Sequence, residues 1–418
     1  MIETALILSG LLLLLVVGQA ILVLGFVRKL REKPPELVSD ELAPRAAVIL
    51  CLRGSDPFLP DCLRGLLSQD YPDYDIRIVI DHPDDPAYQI AAKVVEESGT
   101  SRVSLEFLQE KRSTCGLKCS SILQVVESLD ESYHFVAQLD ADTQAHPTWL
   151  REIATALADE EVGAATGNRW YMPRSHSVGS LVRFSWNAAA VVQMYWYRVA
   201  WGGTLGIKTR LFRETDLLEK WSRAFCEDTM LYGILKGIGL RVAFVPSLMM
   251  INREACDLGG FFRWVSRQLL TARLYHPAWP AVVVHGIVST LTPAVTLGAM
   301  IYAIGQNEGA AAGCLAVSLG LYEASLALLL WPMETAVRKI AHRRGEPTEW
   351  LTPGRSLKLF AIMPVTQIVY ATALTAAQFA KSTIWRGIAY RVDGPWQIRM
   401  KMYQPYESEH EQEQAASL

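Results

Sequence analysis

Two aspartates follow an apolar run in the stretch YHFVAQLDADTQAHPTWL, residues 133–150. The run from Phe135 to Leu139 is typical of a buried strand, and Asp140 and Asp142 come directly after it. Carboxylates at positions i and i+2 of an extended strand end point to the same side. Such a pair suits Mn²⁺ or Mg²⁺, which keeps open positions for the phosphates of a nucleoside diphosphate and stabilises them as a leaving group. A turn followed by a helix cap is an alternative that these residues leave open.

A second acidic pair, Glu227-Asp228, stands at the start of a predicted helical stretch. The carboxylate of Asp228 is a candidate general base that takes the proton from an attacking hydroxyl. The alternative is that both acidic side chains are there because a helix dipole favours negative charge at its amino end.

Residues 258–279, LGGFFRWVSRQLLTARLYHPAW, are aromatic and basic and precede an apolar segment. One interpretation is an amphipathic helix at a membrane interface. The other is that its face closes over an anionic, planar ligand, with Trp264 packing on the ligand and Arg267 paired with a phosphate. The two interpretations are compatible.

Strands and helices alternate around the first acidic pair. Apolar runs at 45–52, 75–80, 103–108 and 133–142 are separated by stretches with helical spacing, as in 59–67 and 117–129. This pattern predicts an α/β domain with a mostly parallel sheet, in which ligands bind beyond the carboxyl ends of the strands. The aspartates that fall at those ends are Asp81, Asp84, Asp85, Asp140 and Asp142. Glycine-rich phosphate motifs are missing, which argues against a dinucleotide oxidoreductase and a P-loop enzyme.

A membrane segment precedes this domain. Residues 4–27 carry no charge over 24 positions, which is long enough to cross a bilayer. The basic residues come after the run, which places the amino terminus outside and the next residues in the cytoplasm. A signal peptide is the alternative, but it would carry its positive charge before the run. We therefore expect an integral membrane protein with a cytoplasmic catalytic domain, in the inner or plasma membrane if the source is bacterial.

Three more apolar stretches follow, at 281–304, 311–331 and 359–380. If the third one crossed the membrane, the basic tail after it would lie outside, against the charge rule. Pro364, Gln367 and Gln378 also make it a poor lipid-facing helix. We expect a re-entrant or interfacial segment that returns the tail to the cytoplasm.

The bulk composition agrees with a mixed chain. Of 418 residues, 50% are hydrophobic and 20% charged, which suits a soluble domain joined to membrane helices. The net charge of −3 implies no nucleic-acid partner. We expect an anchor at 1–30, a catalytic domain at 40–275, a membrane region of two to three helices at 276–382, and a basic, aromatic tail at 383–418 with a disordered end.

At this point the chain resembles the inverting, metal-dependent glycosyltransferases of the GT-A fold, and more closely the ceramide glucosyltransferases and their bacterial relatives. Five elements carry the resemblance, in the family's order and between an anchor and a membrane region. They are LRGSDPFLPDCLRGLLSQDYPDYDIRIVIDHPDDPA (52–87), GLKCSSI (116–122), LDAD (139–142), CEDTM (226–230) and TIWRGIAYRV (383–392).

The resemblance implies roles at the matching positions. Asp85, with Asp81 or Asp84, would contact the nucleoside, and Lys118 would face the diphosphate. Asp140 and Asp142 would hold the metal, and Asp228 would be the base. The segment WGGTLGIKTRLF, residues 201–212, is similar to the family's acceptor-side loop and strand, where Gly202 and Gly203 would let the backbone approach a sugar.

One motif departs from the family. Its closing motif is [Q/R]xxRW, whereas this chain has WVSRQ, with Trp264, Arg267 and Gln268. The arginine is kept, so we expect Arg267 to stabilise the leaving diphosphate. Trp264 and Gln268 would supply stacking and hydrogen bonds, and the exchange affects the choice of acceptor and sugar more than the metal chemistry.

These observations predict a membrane-bound inverting glycosyltransferase that moves a hexose from a nucleotide-sugar donor, such as a UDP-hexose, to a lipid hydroxyl. The lipid would be ceramide-like, diacylglycerol or another lipid alcohol. One rival is a processive polysaccharide synthase, which needs more spanning helices. The other is a catalytically inactive, membrane-tethered binding or scaffold protein.

Overall fold

The computed structural model describes residues 1–173, 175, 177–348 and 352–406 of the chain. In chain order, the elements are α1 (Ile2–Leu30), β1 (Ala46–Leu52), α2 (Leu59–Leu67), β2 (Tyr74–Ile80), α3 (Pro86–Ser98), β3 (Val103–Phe107), α4 (Leu117–Ser128), β4 (Phe135–Leu139), α5 (Trp149–Leu157), β5 (Val162–Thr166), β6 (Arg169–Tyr171), α6 (Val178–Tyr197), β7 (Thr204–Lys208), α7 (Leu211–Glu214), α8 (Leu217–Trp221), α9 (Leu231–Gly237), β8 (Arg241–Phe244), β9 (Met250–Asn252), α10 (Leu258–Tyr275), α11 (Trp279–Gly305), α12 (Gly309–Arg343), α13 (Pro353–Phe379), β10 (Ser382–Trp385), β11 (Ile388–Gly394) and β12 (Gln397–Met402).

A seven-stranded sheet lies at the centre of the α/β domain, in the order β3-β2-β1-β4-β7-β5-β8. Strand β7 is antiparallel to both neighbours, and the other pairs are parallel. Strand β1 is apolar at every position because helices cover both faces of the sheet. Ile122 and Trp221 pack on one face, and Leu63 and Ile153 pack on the other. The predicted mostly parallel sheet is confirmed.

The strand ends bring the polar residues of the first motif together. Arg53 and Gly54 follow β1, Asp81 follows β2, and Asp140 follows β4. Because β7 is antiparallel to β4, it brings its amino end to the same edge, where the amide of Asp140 lies 3.4 Å from the carbonyl oxygen of Gly203. The predicted carboxylates therefore gather at one edge of the sheet, as in other α/β folds.

Four helices of the described residues are long and apolar enough to cross a membrane, namely α1, α11, α12 and residues 354–379 of α13. Helices α1, α11 and α12 share an end away from the α/β domain, where Ala5 and Leu8 pack against Ala303, Ala311 and Leu315. At their other end, Phe26 of α1 and Val337 of α12 lie in the same apolar cluster as Trp170 and Phe184 of the α/β domain.

Helix α13 runs differently, since both of its ends contact the α/β domain. Near its start, Arg355 donates to the carbonyl oxygen of Pro173 at 3.3 Å. Just after its end, Arg273 of α10 donates to the carbonyl oxygen of Ala380 at 2.8 Å. Between these points α13 packs along α6 and α10. These contacts place the tail against the α/β domain, whereas the interfacial or re-entrant course of this segment stays a prediction.

The tail forms a three-stranded antiparallel sheet, β10-β11-β12, on the α/β domain. Ile388, Tyr390 and Val392 of β11 enter the apolar cluster that includes Phe225. The hydroxyl of Tyr390 accepts a hydrogen bond from the amide of Leu117 at 3.1 Å. Residues 407–418, for which we expect disorder, lie outside the described residues.

Candidate active site

A cavity of about 190 Å³ opens at the carboxyl edge of the sheet. Seven of the ten predicted site residues line it: Lys118, Asp140, Asp142, Asp228, Trp264, Arg267 and Gln268. They come from α4, the loops after β4 and before α9, and helix α10. Residues that are up to about 150 positions apart in the sequence thus meet in one polar cavity.

The acidic pair meets two cations in this cavity. Nη2 of Arg169 lies 3.2 Å from Oδ2 of Asp140 and 3.1 Å from Oδ1 of Asp142. Nζ of Lys118 lies 2.8 Å from Oδ1 of Asp140 and 2.6 Å from Oε1 of Glu227. Burial opposes ionisation of Asp140, but Lys118 and Arg169 outweigh it and hold its pKa below the ordinary value. Burial raises the pKa of Asp142, with help from the charge of Asp140.

The helix-cap interpretation of the first acidic pair is wrong. Helix α5 begins only at Trp149, and its amino end receives no side-chain cap. Instead, the side chain of Asp142 also accepts from the side-chain amide of Asn252 at 3.3 Å. The pair therefore serves the cavity rather than a helix end.

The donor set of Asp140 and Asp142 fits a divalent cation. Both carboxylates reach a single cationic nitrogen of Arg169, so they lie close enough together to share one positive ion. Within the described ranges, no group of three or more His, Cys, Asp or Glu side chains is arranged to hold a metal by itself. A metal on this pair would take its other ligands from a phosphate-bearing substrate and water, as Mg²⁺ commonly does.

Asp228 is held in a fixed orientation by backbone amides. Its Oδ2 accepts from the N–H of Gly202 at 2.8 Å, and its Oδ1 accepts from the N–H of Thr229 at 2.6 Å. Helix α9 begins at Leu231, and Glu227 is paired with Lys118, so the acidic pair is more than helix-terminal charge. Gly202 lies against the candidate base, and the approach of a sugar to Gly202 and Gly203 stays a prediction.

Arg267 is partly buried in a positive environment. Its Nη1 is buried and has no hydrogen-bond partner in the described part of the chain. Burial, together with the charges of Arg386 and Arg169, lowers the pKa of Arg267 to about 10. Its guanidinium lies 5.0 Å from the ring centroid of Trp385. A buried guanidinium nitrogen placed in this way favours a bound anion.

Trp264 and Gln268 lie on the same helix as Arg267 and line the same cavity. The indole of Trp264 is packed edge to face against Tyr171 and Trp186, with ring centroids at 6.0 and 5.7 Å. Its orientation is therefore set by the protein core. Stacking on a ligand by Trp264 and hydrogen bonding by Gln268 stay predictions.

The three aspartates predicted at the nucleoside lie beside this cavity rather than in its wall. Asp81 forms a buried ion pair with Arg53, and Asp85 accepts from the N–H of Gly54 at 3.0 Å and caps α3. The side chain of Asp84 is 88% exposed and lies 3.5 Å from His82. The structure thus brings Asp81 and Asp85 to the sheet edge, whereas Asp84 faces solvent.

Five charged residues that line this cavity were not among the predicted site residues: Arg53, Asp56, Arg169, Glu227 and Arg386. Glu227 adjoins the predicted base, and Arg386 lies in the WRGIAYR element that carried part of the resemblance. No sequence signal pointed to Arg169, because only the fold brings β6 next to the end of β4.

A second cavity of about 250 Å³ adjoins the first one. It is lined mostly by apolar side chains of α6, α10 and the helices α11, α12 and α13, with Gln19 and Val23 of α1. The two cavities share the residues Arg169, Trp201, Asp228, Trp264, Gln268 and Thr271. Asp228 therefore lies in a wall between a polar cavity and an apolar one.

The apolar cavity contains a few polar groups. The imidazole of His285 lies 2.8 Å from the side-chain nitrogen of Gln193 and 2.6 Å from that of Gln19. Asn168 and Ser185 also line this cavity, and their buried side-chain polar atoms lack hydrogen-bond partners in the described residues. Such groups can bind the polar part of an otherwise apolar ligand.

A polar, cation-rich cavity thus adjoins an apolar one that is lined by helices long and apolar enough to cross a membrane. The chain belongs to Glycosyl transferase family 21, whose family model matches residues 10–397. The match begins within α1 and extends into the tail. The predicted class of enzyme, a glycosyltransferase, and the predicted α/β fold with helices apolar enough to cross a membrane are thereby confirmed.

The chain is also similar to individual proteins. It is 34% identical over 100 residues to a ceramide glucosyltransferase of Gibberella zeae, a match that spans 22% of this chain and 18% of that enzyme. A mannosyltransferase from Pyrobaculum calidifontis, solved with GDP-Man and Mn²⁺, is 18% identical with a TM-score of 0.48 over 89% of this chain and 99% of its own. S. aureus TarS 1–349, solved in complex with UDP-GlcNAc, is 12% identical with a TM-score of 0.35, over 86% of this chain and 100% of its own.

Proposed function

We propose that this protein is an inverting glycosyltransferase that moves a hexose from a nucleotide-sugar donor, such as a UDP-hexose, to the hydroxyl of a membrane lipid. One observation carries the proposal: Asp228 lines both the polar cavity and the apolar cavity. A base in that shared wall can meet a sugar donor on one side and a lipid hydroxyl on the other.

The cations of the polar cavity support a donor that carries a diphosphate. Lys118, Arg169 and Arg267 all line it, and Arg267 presents a buried donor atom without a protein partner. Charge-assisted hydrogen bonds from guanidinium and ammonium groups to phosphate are among the strongest in proteins. On this account Lys118 and Arg267 bind the two phosphates and stabilise their charge as the sugar leaves.

Asp140 and Asp142 would hold Mn²⁺ or Mg²⁺ together with the donor. The ion would neutralise charge on the leaving diphosphate. Until then, Arg169 neutralises the same two carboxylates, so the buried acidic pair is stable before the donor binds.

The transfer is a single displacement. The lipid hydroxyl attacks the anomeric carbon and forms the new C–O bond while the bond from that carbon to the phosphate oxygen breaks. The hydroxyl proton goes to Asp228, and the electron pair goes to the departing diphosphate. One displacement inverts the anomeric carbon, so an α-configured donor gives a β-linked glycolipid. The amides of Gly202 and Thr229 keep the Asp228 carboxylate in place for this step.

The apolar cavity supports a lipid acceptor. Its walls come largely from α6, α10 and the apolar helices α11 to α13, so an acceptor can reach Asp228 without leaving the bilayer. The local similarity to a ceramide glucosyltransferase supports a ceramide-like lipid among the possible alcohols. The charge after α1 supports an orientation with the catalytic domain in the cytoplasm.

Release of nucleoside diphosphate by the purified protein in lipid nanodiscs tests the proposal. The protein is given a panel of UDP- and GDP-hexoses with Mn²⁺ or Mg²⁺, with and without a lipid extract. We expect one donor to give metal-dependent release that the lipid stimulates, with the label recovered in a lipid, and we expect Asp142→Asn to abolish it.

Three other outcomes would contradict the proposal. A polymer made from the donor alone would indicate a polysaccharide synthase. Nucleotide binding without any release would indicate an inactive binding protein. Release with label in water-soluble sugar only, even with lipid present, would indicate a hydrolase.

A further inference from the structure

The tip of the hairpin formed by β10 and β11 has an unusual backbone. Trp385 pairs with Ile388, so the turn consists of Arg386 and Gly387 alone. Both residues have positive φ, 47° for Arg386 and 76° for Gly387. Turns of this kind favour Asn, Asp or Gly at both positions, and an arginine is disfavoured there. A residue held against its backbone preference often has a functional role.

The turn is at the candidate active site. The polar cavity is lined by Trp385, Arg386, Ile388 and Tyr390. These residues are far from Lys118 and the acidic pair in the sequence, but they line the same cavity. Among the described residues, the carboxylate nearest to the Arg386 guanidinium is that of the buried Asp56, with Nη2 and Oδ2 3.5 Å apart. At this distance the pairing is weak, and the planar guanidinium has further donors for a ligand.

A second arginine lies near Arg386. This second arginine is Arg267, and the positive charge of Arg386 contributes, after burial, to its lowered pKa. Arg267 in turn packs on Trp385, the residue before the turn. Two arginines that line one cavity repel each other unless an anion lies between them, and diphosphate has oxygens enough to bind both.

The hairpin is fixed on the α/β domain. Nε of Arg53 donates to the carbonyl oxygen of Arg386 at 2.8 Å, and the amide of Met400 donates to the carbonyl oxygen of Ser113 at 2.7 Å. The bond from Leu117 to the Tyr390 hydroxyl holds the middle of the hairpin. The left-handed backbone thus directs the Arg386 side chain from a rigid support.

We propose that Arg386 is a donor-binding residue, which contacts the diphosphate of the nucleotide sugar together with Arg267. The C-terminal hairpin then completes the donor site that the sheet edge begins. This assignment rests on the proposed function in so far as the ligand is a nucleoside diphosphate. It extends that proposal to a part of the chain beyond the α/β domain.

The backbone of the turn supplies a well-matched test. Arg386→Gly removes the guanidinium and relieves the positive φ, so we expect the unliganded protein to melt at the same temperature or a higher one. Binding of UDP and UMP with Mn²⁺ is measured by calorimetry in nanodiscs. We expect the affinity for UDP to fall on the order of 10- to 100-fold, as for loss of a charged hydrogen bond, and the affinity for UMP to fall less.

Two further variants separate this role from a structural one. Arg386→Lys keeps the charge and should recover part of the UDP affinity. Arg391→Ala removes an exposed arginine of the same hairpin that pairs with Asp393, and it should bind UDP as the wild type does. If Arg386→Gly bound UDP with wild-type affinity, the assignment of Arg386 would be overturned and the proposed function would stand. The same would follow if Arg386→Gly lost affinity for UDP and UMP equally and melted at a lower temperature. No binding of UDP or GDP by the wild-type protein would overturn the proposed function and this assignment together.

Discussion

The backbone N–H of Gly202 donates to Oδ2 of Asp228 at 2.8 Å, so the loop before β7 orients the proposed base. A Cβ atom on Gly202 would lie 2.1 Å from Oε1 of Glu227 and 3.2 Å from Oδ2 of Asp228. The position therefore requires a glycine because two carboxylates lie against it, and not because of its own backbone angles.

Gly202→Ala should displace the Asp228 carboxylate. Because misplacing a reacting group by about 1 Å costs about 100-fold in rate, we expect kcat for lipid glycosylation to fall by about that factor. The KM for the donor should change less than kcat. Steady-state kinetics in nanodiscs measure both. Gly233→Ala is the control, since a Cβ there meets nothing within 4 Å, and it should leave kcat unchanged. An equal loss in both variants would contradict the argument.

Arg169→Ala should leave Asp140 and Asp142 without their shared cation. Removing one partner of a buried ion pair costs about 3 kcal/mol, so metal-free protein should melt at a lower temperature. The affinity for Mn²⁺ should rise, because the ion no longer competes with the guanidinium. Thermal unfolding in EDTA and a Mn²⁺ titration followed by EPR measure the two effects. The exposed pair of Arg241 with Asp159 supplies the control Arg241→Ala, which should change neither quantity strongly. Weaker Mn²⁺ binding by Arg169→Ala would count against a metal on this pair.

Ala190→Phe should narrow the apolar cavity that Ala190 lines. If a lipid acceptor binds there, its KM should rise by about tenfold or more, while the affinity for UDP with Mn²⁺ should stay as in the wild type. Val288→Phe is the control, because Val288 is exposed on α11 and does not line the cavity. Acceptor titrations with a fixed donor concentration measure the effect. An unchanged acceptor KM in Ala190→Phe would place the lipid elsewhere.

Periodicity and strand-end chemistry made much of this architecture predictable. Apolar runs of five to seven residues such as β1 and β4 are buried, and the residues that follow parallel strands meet at one edge. Asp140, Asp142 and Asp228 could be predicted as site residues because each stands next to the end of a strand or helix in a local sequence pattern. The basic residues after α1 and in the tail likewise predicted that the tail lies on the same side as the α/β domain.

Contacts between distant segments were not predictable from local patterns. Arg169 meets Asp140 only because β6 follows β5 across the edge of the sheet, and Arg386 reaches the cavity from the far end of the chain. A single arginine carries no period or spacing of its own. The exposure of Asp84 was not predictable either: it stands in an acidic cluster beside Asp85, yet its side chain faces solvent just before the helix start.

The most direct test of the account is transfer by Asp228→Asn, measured in a single turnover with a radiolabelled UDP-hexose and lipid acceptor in nanodiscs. The asparagine keeps the shape and loses the ability to accept the hydroxyl proton. We expect UDP with Mn²⁺ to bind within about twofold of the wild type, and labelled glycolipid to form at least about 100-fold more slowly. Glycolipid formation at the wild-type rate would contradict the role of Asp228 as the base. Loss of UDP binding to the same extent as transfer would assign Asp228 to the donor site instead.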